Sequence, residues 1–258
     1  MHRPMLYYVA TAAMGAVAAL CLYAVGFRRH ASGSTTYYLL KATSPPQQPP
    51  VVFVHGVGMG LSAYLGFVLR LATTQGARRC IMMIELPHVS MKLGKERVPS
   101  AAEIVDNVAR AMHTHGFVAA TWVGHSLGSC TVATVVRARP ELVHSLVFLD
   151  PVCFLLWEVN VMRNFCYLTP STPRQHVLRY VSSGELFISY YFHRHFWWHE
   201  LFLLPSHIPS SVASTSVFVS ENDDFSNAAQ LQGYLRAKGV NVHELKGHGH
   251  GGWMVCTA

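Results

Sequence analysis

The pentapeptide Gly124-His125-Ser126-Leu127-Gly128 constrains this 258-residue chain more than any other feature. It lies between the apolar run 117–123 and the run 129–137, a context that predicts a strand, a sharp turn and a helix. The pattern G-x-S-x-G between a strand and a helix forms a sharp turn, in which the serine backbone is strained and flanking glycines permit close packing. A serine held in this way is exposed and available as a nucleophile. The pattern therefore predicts Ser126 as a nucleophile at the end of a buried strand.

A serine nucleophile needs hydrogen-bond donors for the oxyanion that forms when it attacks a carbonyl. The backbone N–H of Leu127 starts the helix after the serine and points at the attacked carbonyl. A second glycine-containing turn lies upstream, where the apolar run 51–54 leads into His55-Gly56-Val57-Gly58. That sequence is also compatible with an ordinary loop between a strand and a helix.

An acid that orients the catalytic base is expected just past the carboxyl end of a strand, at the edge where doubly wound sheets carry their sites. The run 215–219 has the composition of a strand, and Asp223 and Asp224 follow it closely. Either carboxylate could accept a proton from a histidine Nδ1. The other would cap the helix predicted over 226–238.

The base is expected in the loop after the last predicted strand, 240–245, where two histidines, His248 and His250, are candidates. The spacing His-x-His is also found in metal sites. No cluster of Cys, His and carboxylate residues at ligand spacing accompanies it. We therefore predict no metal and no cofactor.

The remaining segments alternate between the sequence patterns of strands and of helices. Strands are predicted over 36–41, 51–54, 80–86, 117–123, 143–149, 215–219 and 240–245, and an amphipathic helix over 101–115. Alternating strands and helices predict a parallel sheet with right-handed crossovers.

With Ser126, Asp223 and His250 in that order and His55-Gly56 upstream, the chain resembles α/β-hydrolases of the lipase, esterase and epoxide-hydrolase type. The resemblance extends from about residue 37 to the C-terminus. It implies the α/β-hydrolase fold, a mostly parallel sheet flanked by helices. It also implies that the N–H of Val57 is the second oxyanion donor, in preference to Gly58.

The resemblance favours particular residues for the acid and the base. Asp223 is preferred to Asp224 because Phe225 completes the Asp-x-apolar pattern of the family. His250 is preferred to His248 because a His-Gly pair usually begins the last helix. Some members take the acid from the strand after the nucleophile, which makes Asp150 a further alternate; an Asp-Pro turn is its other interpretation.

The amino-terminal run 5–27 contains no charged residue and is long enough to cross a bilayer as one helix. Arg3 precedes it and Arg28-Arg29 follow it. We predict an N-terminal transmembrane helix in residues 1–30, a single-pass anchor whose compartment and topology are undecided. A cleaved signal peptide is the alternative.

Residues 36–258 are predicted to form one catalytic domain, and alternation breaks down between 151 and 210. This stretch is rich in aromatic residues, and α/β-hydrolases commonly insert a helical cap at this point. We predict an apolar cap or lid insertion over 151–210, suited to apolar substrates. The same aromatics could also serve only to pack the cap against the core.

Charge and cysteine usage exclude several other classes. The net charge of +7 is spread along the chain rather than clustered on a recognisable nucleic-acid-binding module. The six cysteines show no paired spacing that would indicate a disulfide framework. We therefore predict no nucleic-acid partner, and the sequence leaves the oligomeric state undecided.

The sequence hypothesis is a membrane-anchored serine hydrolase that cleaves a lipophilic carboxylic ester through a Ser-Asp-His triad and an acyl-enzyme. Two alternatives stay open. The first is a non-catalytic lipid-binding or scaffold protein with the same fold. The second is a thioesterase or acyltransferase that uses the same site.

Overall fold

The computed structural model describes residues 3–76, 78–93 and 97–255. They contain an eight-stranded sheet with the order β1-β2-β4-β3-β5-β6-β7-β8. Its strands are β1 (Arg28–Ser32), β2 (Thr35–Leu40), β3 (Val51–Val54), β4 (Ile81–Glu85), β5 (Ala120–His125), β6 (Val143–Leu149), β7 (Ser214–Asn222) and β8 (Asn241–Gly249). Strand β2 is antiparallel to both of its neighbours, and the pairs from β4 to β8 are parallel. The predicted mostly parallel sheet flanked by helices is confirmed.

The helices alternate with the strands along most of the chain. They are α1 (Met5–Val25), α2 (Leu65–Gln75), α3 (Ala101–Thr114), α4 (Gly128–Ala138), α5 (Asn160–Met162), α6 (Pro173–Leu178), α7 (Leu186–Arg194), α8 (Trp198–Leu201) and α9 (Ala228–Ala237). Two π-helical turns, Arg163–Tyr167 and Arg179–Ser183, continue α5 and α6.

The central strands are buried because helices cover both faces of the parallel part of the sheet. Every residue of β3 and β4 is buried, which explains why both read as continuous apolar runs rather than as alternating ones. Helix α3 instead turns one apolar stripe toward the core. It begins at Ser100, whose side chain accepts a hydrogen bond from the Glu103 N–H.

The parallel register brings the carboxyl ends of four strands to one edge. Val54 lies opposite Gly124, Gly124 lies opposite Phe148, and Leu149 lies opposite Phe218. The residues that follow these strands therefore meet in space although they are far apart in sequence. This edge is where doubly wound sheets form their sites.

Strand β1 was not predicted from the sequence. Its residues Arg28 and Arg29 read there as the charged flank of a membrane helix, but the structure pairs them antiparallel with Leu39 and Tyr38 of β2. Gly26 ends α1 in the left-handed region, with φ of 109°, so the chain reverses directly from the helix into the strand.

The chain between β6 and β7 is helical and includes α5 to α8. Its aromatic side chains pack closely against one another: the Phe165 and Phe192 rings lie 4.6 Å apart, and the Phe192 and Phe196 rings 5.0 Å apart. The assignment of residues 151–210 as a cap, like the limits of the catalytic domain at 36–258, stays a prediction.

Among the described residues, α1 is the one helix that is long and apolar enough to cross a membrane by length and composition. The interpretation of residues 1–30 as a membrane anchor stays a prediction, and residues 1 and 2 lie outside the described part. The five described cysteines are free, and Cys256 lies outside the described residues.

Candidate active site

The turn that carries Ser126 is tight on all sides. Ser126 has φ of 51°, in the left-handed region that residues with a Cβ avoid. A Cβ at Gly128 would lie 2.2 Å from the Val54 carbonyl oxygen, and one at Gly56 would lie 2.8 Å from the Ser126 Cβ. Only glycine therefore lets α4 and the turn after β3 come so close to the serine.

Three residues from three separate loops meet at this turn. The Ser126 Oγ lies 2.8 Å from the His250 Nε2, and the His250 Nδ1 lies 2.8 Å from the Asp223 Oδ2. The side chains of His250 and Asp223 are only 8% and 1% exposed. This geometry lets the serine hydroxyl donate to the imidazole and the imidazole N–H donate to the carboxylate.

The second oxygen of Asp223 is also held. Its Oδ1 accepts hydrogen bonds from the backbone N–H groups of Phe225, at 2.7 Å, and Ser226, at 3.0 Å. Burial raises the pKa of the Asp223 carboxyl, but the neighbouring His250 and these hydrogen bonds outweigh burial and place the pKa below its usual value. Asp223 is thus a carboxylate near neutral pH.

The pKa of His250 is shifted in the opposite direction. Burial lowers it, but the charge of Asp223 and the hydrogen bond to that carboxylate outweigh burial, with a further contribution from the charge of Asp150. The net effect raises the pKa above the usual 6.5 of histidine. The environment therefore favours an imidazolium, which is the form that a base reaches after it takes the serine proton.

The three alternates from the sequence have other positions. Asp150 accepts hydrogen bonds from the Ser220 N–H, the Ser220 hydroxyl and the Gly251 N–H, so it ties the end of β6 to β7 and to the histidine loop. Asp224 forms an ion pair with Arg174 at 2.8 Å. His248 lies within β8, two residues before the histidine that contacts Ser126.

The two predicted oxyanion donors, Val57 and Leu127, both line the cavity that contains Ser126. The N–H of Gly58, the less favoured candidate, donates to the Val89 carbonyl at 3.0 Å and is already engaged. His55 fixes the loop, because its Nδ1 lies 2.7 Å from the Gly56 carbonyl oxygen while its Nε2 accepts from the Leu86 N–H at 2.9 Å.

Ser126 and His250 open onto a cavity of about 580 Å³. Apart from the catalytic edge of the sheet, its walls come mainly from α1 and the helical segment after β6, and Met59, Ala63, Tyr64 and Met91 also line it. The second wall consists mainly of apolar side chains, namely Val152, Val161, Phe165, Val177, Leu178, Val181, Phe192 and Phe196. Arg174 and Asp224 are the charged pair at its rim. A volume of this size accommodates a drug-sized or acyl-chain ligand.

A family model described as the alpha/beta hydrolase fold matches residues 49–165, which include the nucleophile turn and the loop after β3. Together with the sheet order and the position of Ser126, this match decides the assignment. The chain has the α/β-hydrolase fold. No curated protein is detectably similar to this α/β-hydrolase in sequence.

Solved structures with the same fold include several lipases and esterases. A membrane phospholipase A, described as a bacterial virulence factor, superposes with a TM-score of 0.63 at 17% identity, over 95% of this chain and 86% of its own. A putative lipase from Acinetobacter baumannii gives 0.62 at 13% identity, over 92% and 89% of the two chains. Naproxen esterase from Bacillus subtilis gives 0.62 at 11% identity, over 95% and 92%.

Tyr64 is a residue of this α/β-hydrolase site that the sequence did not reveal. Its hydroxyl lies 2.6 Å from the His125 Nδ1 and accepts a hydrogen bond from the Gly56 N–H at 2.9 Å. Burial raises the pKa of the phenol far above its usual range, so it stays neutral. One hydroxyl thus joins the loop after β3 to the turn that holds Ser126. Tyr64 lies in a short 3₁₀ segment without a periodic pattern, so no sequence motif indicates its role.

The described part of the hydrolase contains no group of three or more His, Cys, Asp or Glu residues placed to hold a metal ion. His250 and Asp223 hydrogen-bond to each other and to Ser126 or backbone N–H groups instead. Proton transfer and nucleophilic attack are reactions that a serine, a histidine and a carboxylate in this arrangement can support.

Proposed function

We propose that this α/β-hydrolase is a membrane-associated serine hydrolase that cleaves a lipophilic carboxylic ester through Ser126, His250 and Asp223. The observation that carries the proposal is the pair of 2.8 Å contacts that joins Ser126 to His250 and His250 to Asp223, at the wall of an apolar cavity. The structural resemblance to a membrane phospholipase A, a putative lipase and an esterase agrees with an ester substrate.

In the first half of the proposed reaction, the Ser126 Oγ attacks the ester carbonyl carbon while its proton passes to the His250 Nε2. The carbonyl oxygen becomes an oxyanion that accepts hydrogen bonds from the Leu127 and Val57 N–H groups. The imidazolium, stabilised by Asp223, then donates its Nε2 proton to the alkoxide oxygen of the leaving group. The ester C–O bond breaks, the alcohol departs, and an acyl-Ser126 intermediate remains.

Water completes the cycle by the same path. His250 takes a proton from a water molecule as its oxygen attacks the acyl carbonyl, and the two oxyanion donors again hold the negative charge. When this second tetrahedral intermediate collapses, the His250 proton returns to the Ser126 Oγ. The products are a carboxylic acid and the free enzyme.

The cavity supports a lipophilic acyl group rather than a polar one. Its walls are mainly aliphatic and aromatic side chains from α1 and from the helical segment that we propose as the cap. Burial of apolar surface is the main source of binding energy in such a pocket, at about 0.8 kcal/mol for each buried methylene. A longer chain therefore gains affinity until the cavity is filled.

Hydrolysis of a series of p-nitrophenyl esters, from acetate to dodecanoate, by the detergent-solubilised full-length protein tests the function. We expect release of p-nitrophenol with kcat/KM increasing with chain length, loss of the activity in Ser126→Ala, and retention in the matched variant His248→Ala. If a folded wild-type protein hydrolysed none of the esters, the non-catalytic lipid-binding alternative would be favoured.

A further inference from the structure

Helix α1 forms part of the cavity that contains Ser126. Tyr7, Ala10, Thr11 and Met14, which lie on one side of the helix, line the cavity together with Ser126 and His250. A helix used only to tether a catalytic domain has no need to contribute to its pocket. The position of α1 therefore links this apolar helix directly to the substrate.

Both ends of α1 are fastened to the same domain. Near the amino end, the Tyr8 hydroxyl donates to the fully buried carboxylate of Glu185 at 2.9 Å, and the Tyr7 hydroxyl donates to the Val181 carbonyl at 2.8 Å. Near the carboxyl end, Leu22 is buried in a core cluster with residues of β2, β3 and β4, among them Tyr38. The inner face of the helix thus lies along the catalytic domain from one end to the other.

The outer face of α1 is apolar and open. A helix at a water-exposed surface has polar side chains on its outer face, yet α1 has no Asp, Glu, Lys, Arg or His anywhere along its length. Its large exposed side chains are Met5, Leu6, Val9, Met14, Val17, Leu20, Tyr23 and Val25. Hydrocarbon, rather than water, is the environment that this composition matches.

A helix that crosses a bilayer must be surrounded by lipid or protein over about 30 Å of hydrocarbon. Since α1 contacts the domain at both ends, a crossing α1 would draw the adjoining surface of the domain, with its water-exposed polar groups, into the hydrocarbon. That would cost several kcal/mol for each buried polar group left without a partner. A helix that lies flat, with its inner face on protein and its outer face in lipid, agrees with the contacts at both ends of α1 and with its exposed apolar face.

The mouth of the cavity lies beside the same outer face. Met14 of α1, Val177 of α6 and Val181 all line the cavity and are also solvent-exposed. Arg174, at the rim, is more than half exposed, and Arg28 and Arg29 are exposed directly after α1. Apolar side chains at the mouth, with Arg174 beside them and Arg28 and Arg29 beyond the carboxyl end of α1, match an acyl region bordered by lipid phosphates.

We propose that α1 lies flat in one leaflet of a lipid bilayer, and that the ester substrate enters the cavity from that leaflet between Met14 and Val177. The occupant of the outer face is the bilayer itself, and the substrate is an ester whose acyl chains are already dissolved in it. The substrate source rests on the proposed function, whereas the orientation of α1 does not.

Vesicle flotation tests the attachment of the full-length chain without reference to catalysis. The variants are Leu6→Glu, Leu20→Glu and the double variant; Leu6 is 76% exposed and neither side chain lines the cavity. Val118→Glu is the matched control, because Val118 is 83% exposed in the loop before β5, away from α1. We expect phosphatidylcholine vesicles to bind the double variant at least about tenfold more weakly than wild type and control. In the double variant, two charged side chains would have to enter the hydrocarbon in place of two leucines. Equal binding of all variants would overturn the proposal.

Protease protection of two epitope tags, one at each terminus, tests the orientation of α1. The tagged chain is expressed in cells, and sealed membrane vesicles from these cells are treated with external protease. A flat α1 keeps both termini on one side, so external protease either removes both tags or leaves both intact. Opposite fates for the two tags would show a crossing helix and overturn the proposal. Membrane-bound protein that lacks the amino-terminal tag before any protease is added would overturn it as well, because α1 would then have been removed in the cell.

Catalysis distinguishes the failure of this proposal from failure of the proposed function. We expect Leu6→Glu/Leu20→Glu to hydrolyse p-nitrophenyl butanoate at the wild-type rate and to lose most activity toward a diacylglycerol dissolved in vesicles. Equal loss on both substrates would overturn entry from the leaflet. A wild-type protein that floats with vesicles but cleaves neither ester would refute the hydrolase function and leave the orientation of α1 standing.

Discussion

Ser126, His250 and Asp223 differ in what holds them in place. Ser126 is fixed by a strained turn between β5 and α4, and Asp223 by two backbone N–H donors. His250 is held by its two hydrogen-bond partners and by ring contacts with Phe225 and His125. The proposed role of the carboxylate is to set the tautomer and orientation of the imidazole. Two adjacent aspartates make this task testable.

We expect Asp223→Asn to lower kcat by about 10³- to 10⁴-fold, as an amide would favour the wrong histidine tautomer. Asp224→Asn is the matched control: it removes a neighbouring charge that pairs with Arg174 rather than with His250. Steady-state hydrolysis of p-nitrophenyl butanoate measures both. Comparable losses in the two variants would contradict the assignment of the acid.

The pH profile of kcat/KM reports the charge state of His250. Burial lowers the pKa of its imidazole, but Asp223 and Asp150 raise it, and the net shift is upward from 6.5. Because only the neutral imidazole takes the serine proton, activity falls as the pH drops through this pKa. We expect an acid-side midpoint above pH 6.5 for wild type and a lower midpoint for Asp150→Asn, which removes a nearby negative charge. A midpoint that rises in Asp150→Asn would refute this explanation.

Tyr64 is a positioning residue, since its hydroxyl joins Gly56 to His125 without contacting Ser126 in the hydrogen-bond network. Tyr64→Phe leaves the Gly56 N–H and the His125 Nδ1 without this partner. We expect a loss of about 1–3 kcal/mol in the free energy of unfolding, together with a kcat about tenfold lower, since misplacement of catalytic groups raises the barrier.

The matched control for Tyr64→Phe is Tyr37→Phe. Tyr37 makes the same kind of contact, with its hydroxyl 2.9 Å from the His115 Nε2, but far from the cavity. We expect urea denaturation to record destabilisation in both variants, whereas only Tyr64→Phe lowers kcat. An unchanged kcat in Tyr64→Phe would reduce Tyr64 to a purely structural residue.

At the scale of elements, strand ends could be predicted well where composition changes sharply. Strand β3 and strand β6 begin and end where the apolar runs 51–54 and 143–149 predict them. The last two strands are longer than predicted, because β7 continues to Asn222 and β8 to Gly249 as polar residues extend the ladder. Backbone pairing at a sheet edge does not require apolar side chains, so the sequence pattern ends before the strand does.

Helix α4 owes its position to Gly128. A Cβ there would fall 2.2 Å from a backbone oxygen of β3, which cannot move away. We expect Gly128→Ala to destabilise the fold by roughly 3 kcal/mol or more, as overpacking against backbone does. Gly66 in α2 is the control, since a Cβ there meets no atom within 4 Å. Gly66→Ala is expected to stabilise by about 0.5–1 kcal/mol. Urea denaturation of both checks this, and equal effects would contradict it.

At the scale of the whole molecule, the order Ser126, Asp223, His250 could be predicted, but the surroundings of the site could not. Parallel strand ends necessarily meet at one edge of a sheet, so residues that follow them are expected to lie together. The role of α1 as a cavity wall has no sequence signature, because an apolar helix has the same composition against protein as in lipid. For the same reason, the sequence could predict a helix suited to a membrane but not its orientation.

The charged residues illustrate the same limit. Arg28 and Arg29 flank an apolar run and indicate a membrane boundary, yet they form the edge strand β1. Both statements are compatible if the edge of the sheet lies near the lipid headgroups, as the proposed orientation of α1 requires. Only the tertiary structure shows that this strand pairs with β2 and that α1 lines the cavity.

The central claim is that Ser126 is an activated nucleophile, and covalent labelling with a fluorophosphonate tests it most directly. The reagent phosphonylates a serine hydroxyl only when a neighbouring base removes its proton. We predict one adduct, mapped by peptide mass spectrometry to Ser126, that is absent in Ser126→Ala and in His250→Ala and present in His248→Ala. Labelling that persists in Ser126→Ala, or a folded wild-type protein that takes no label, would contradict the account.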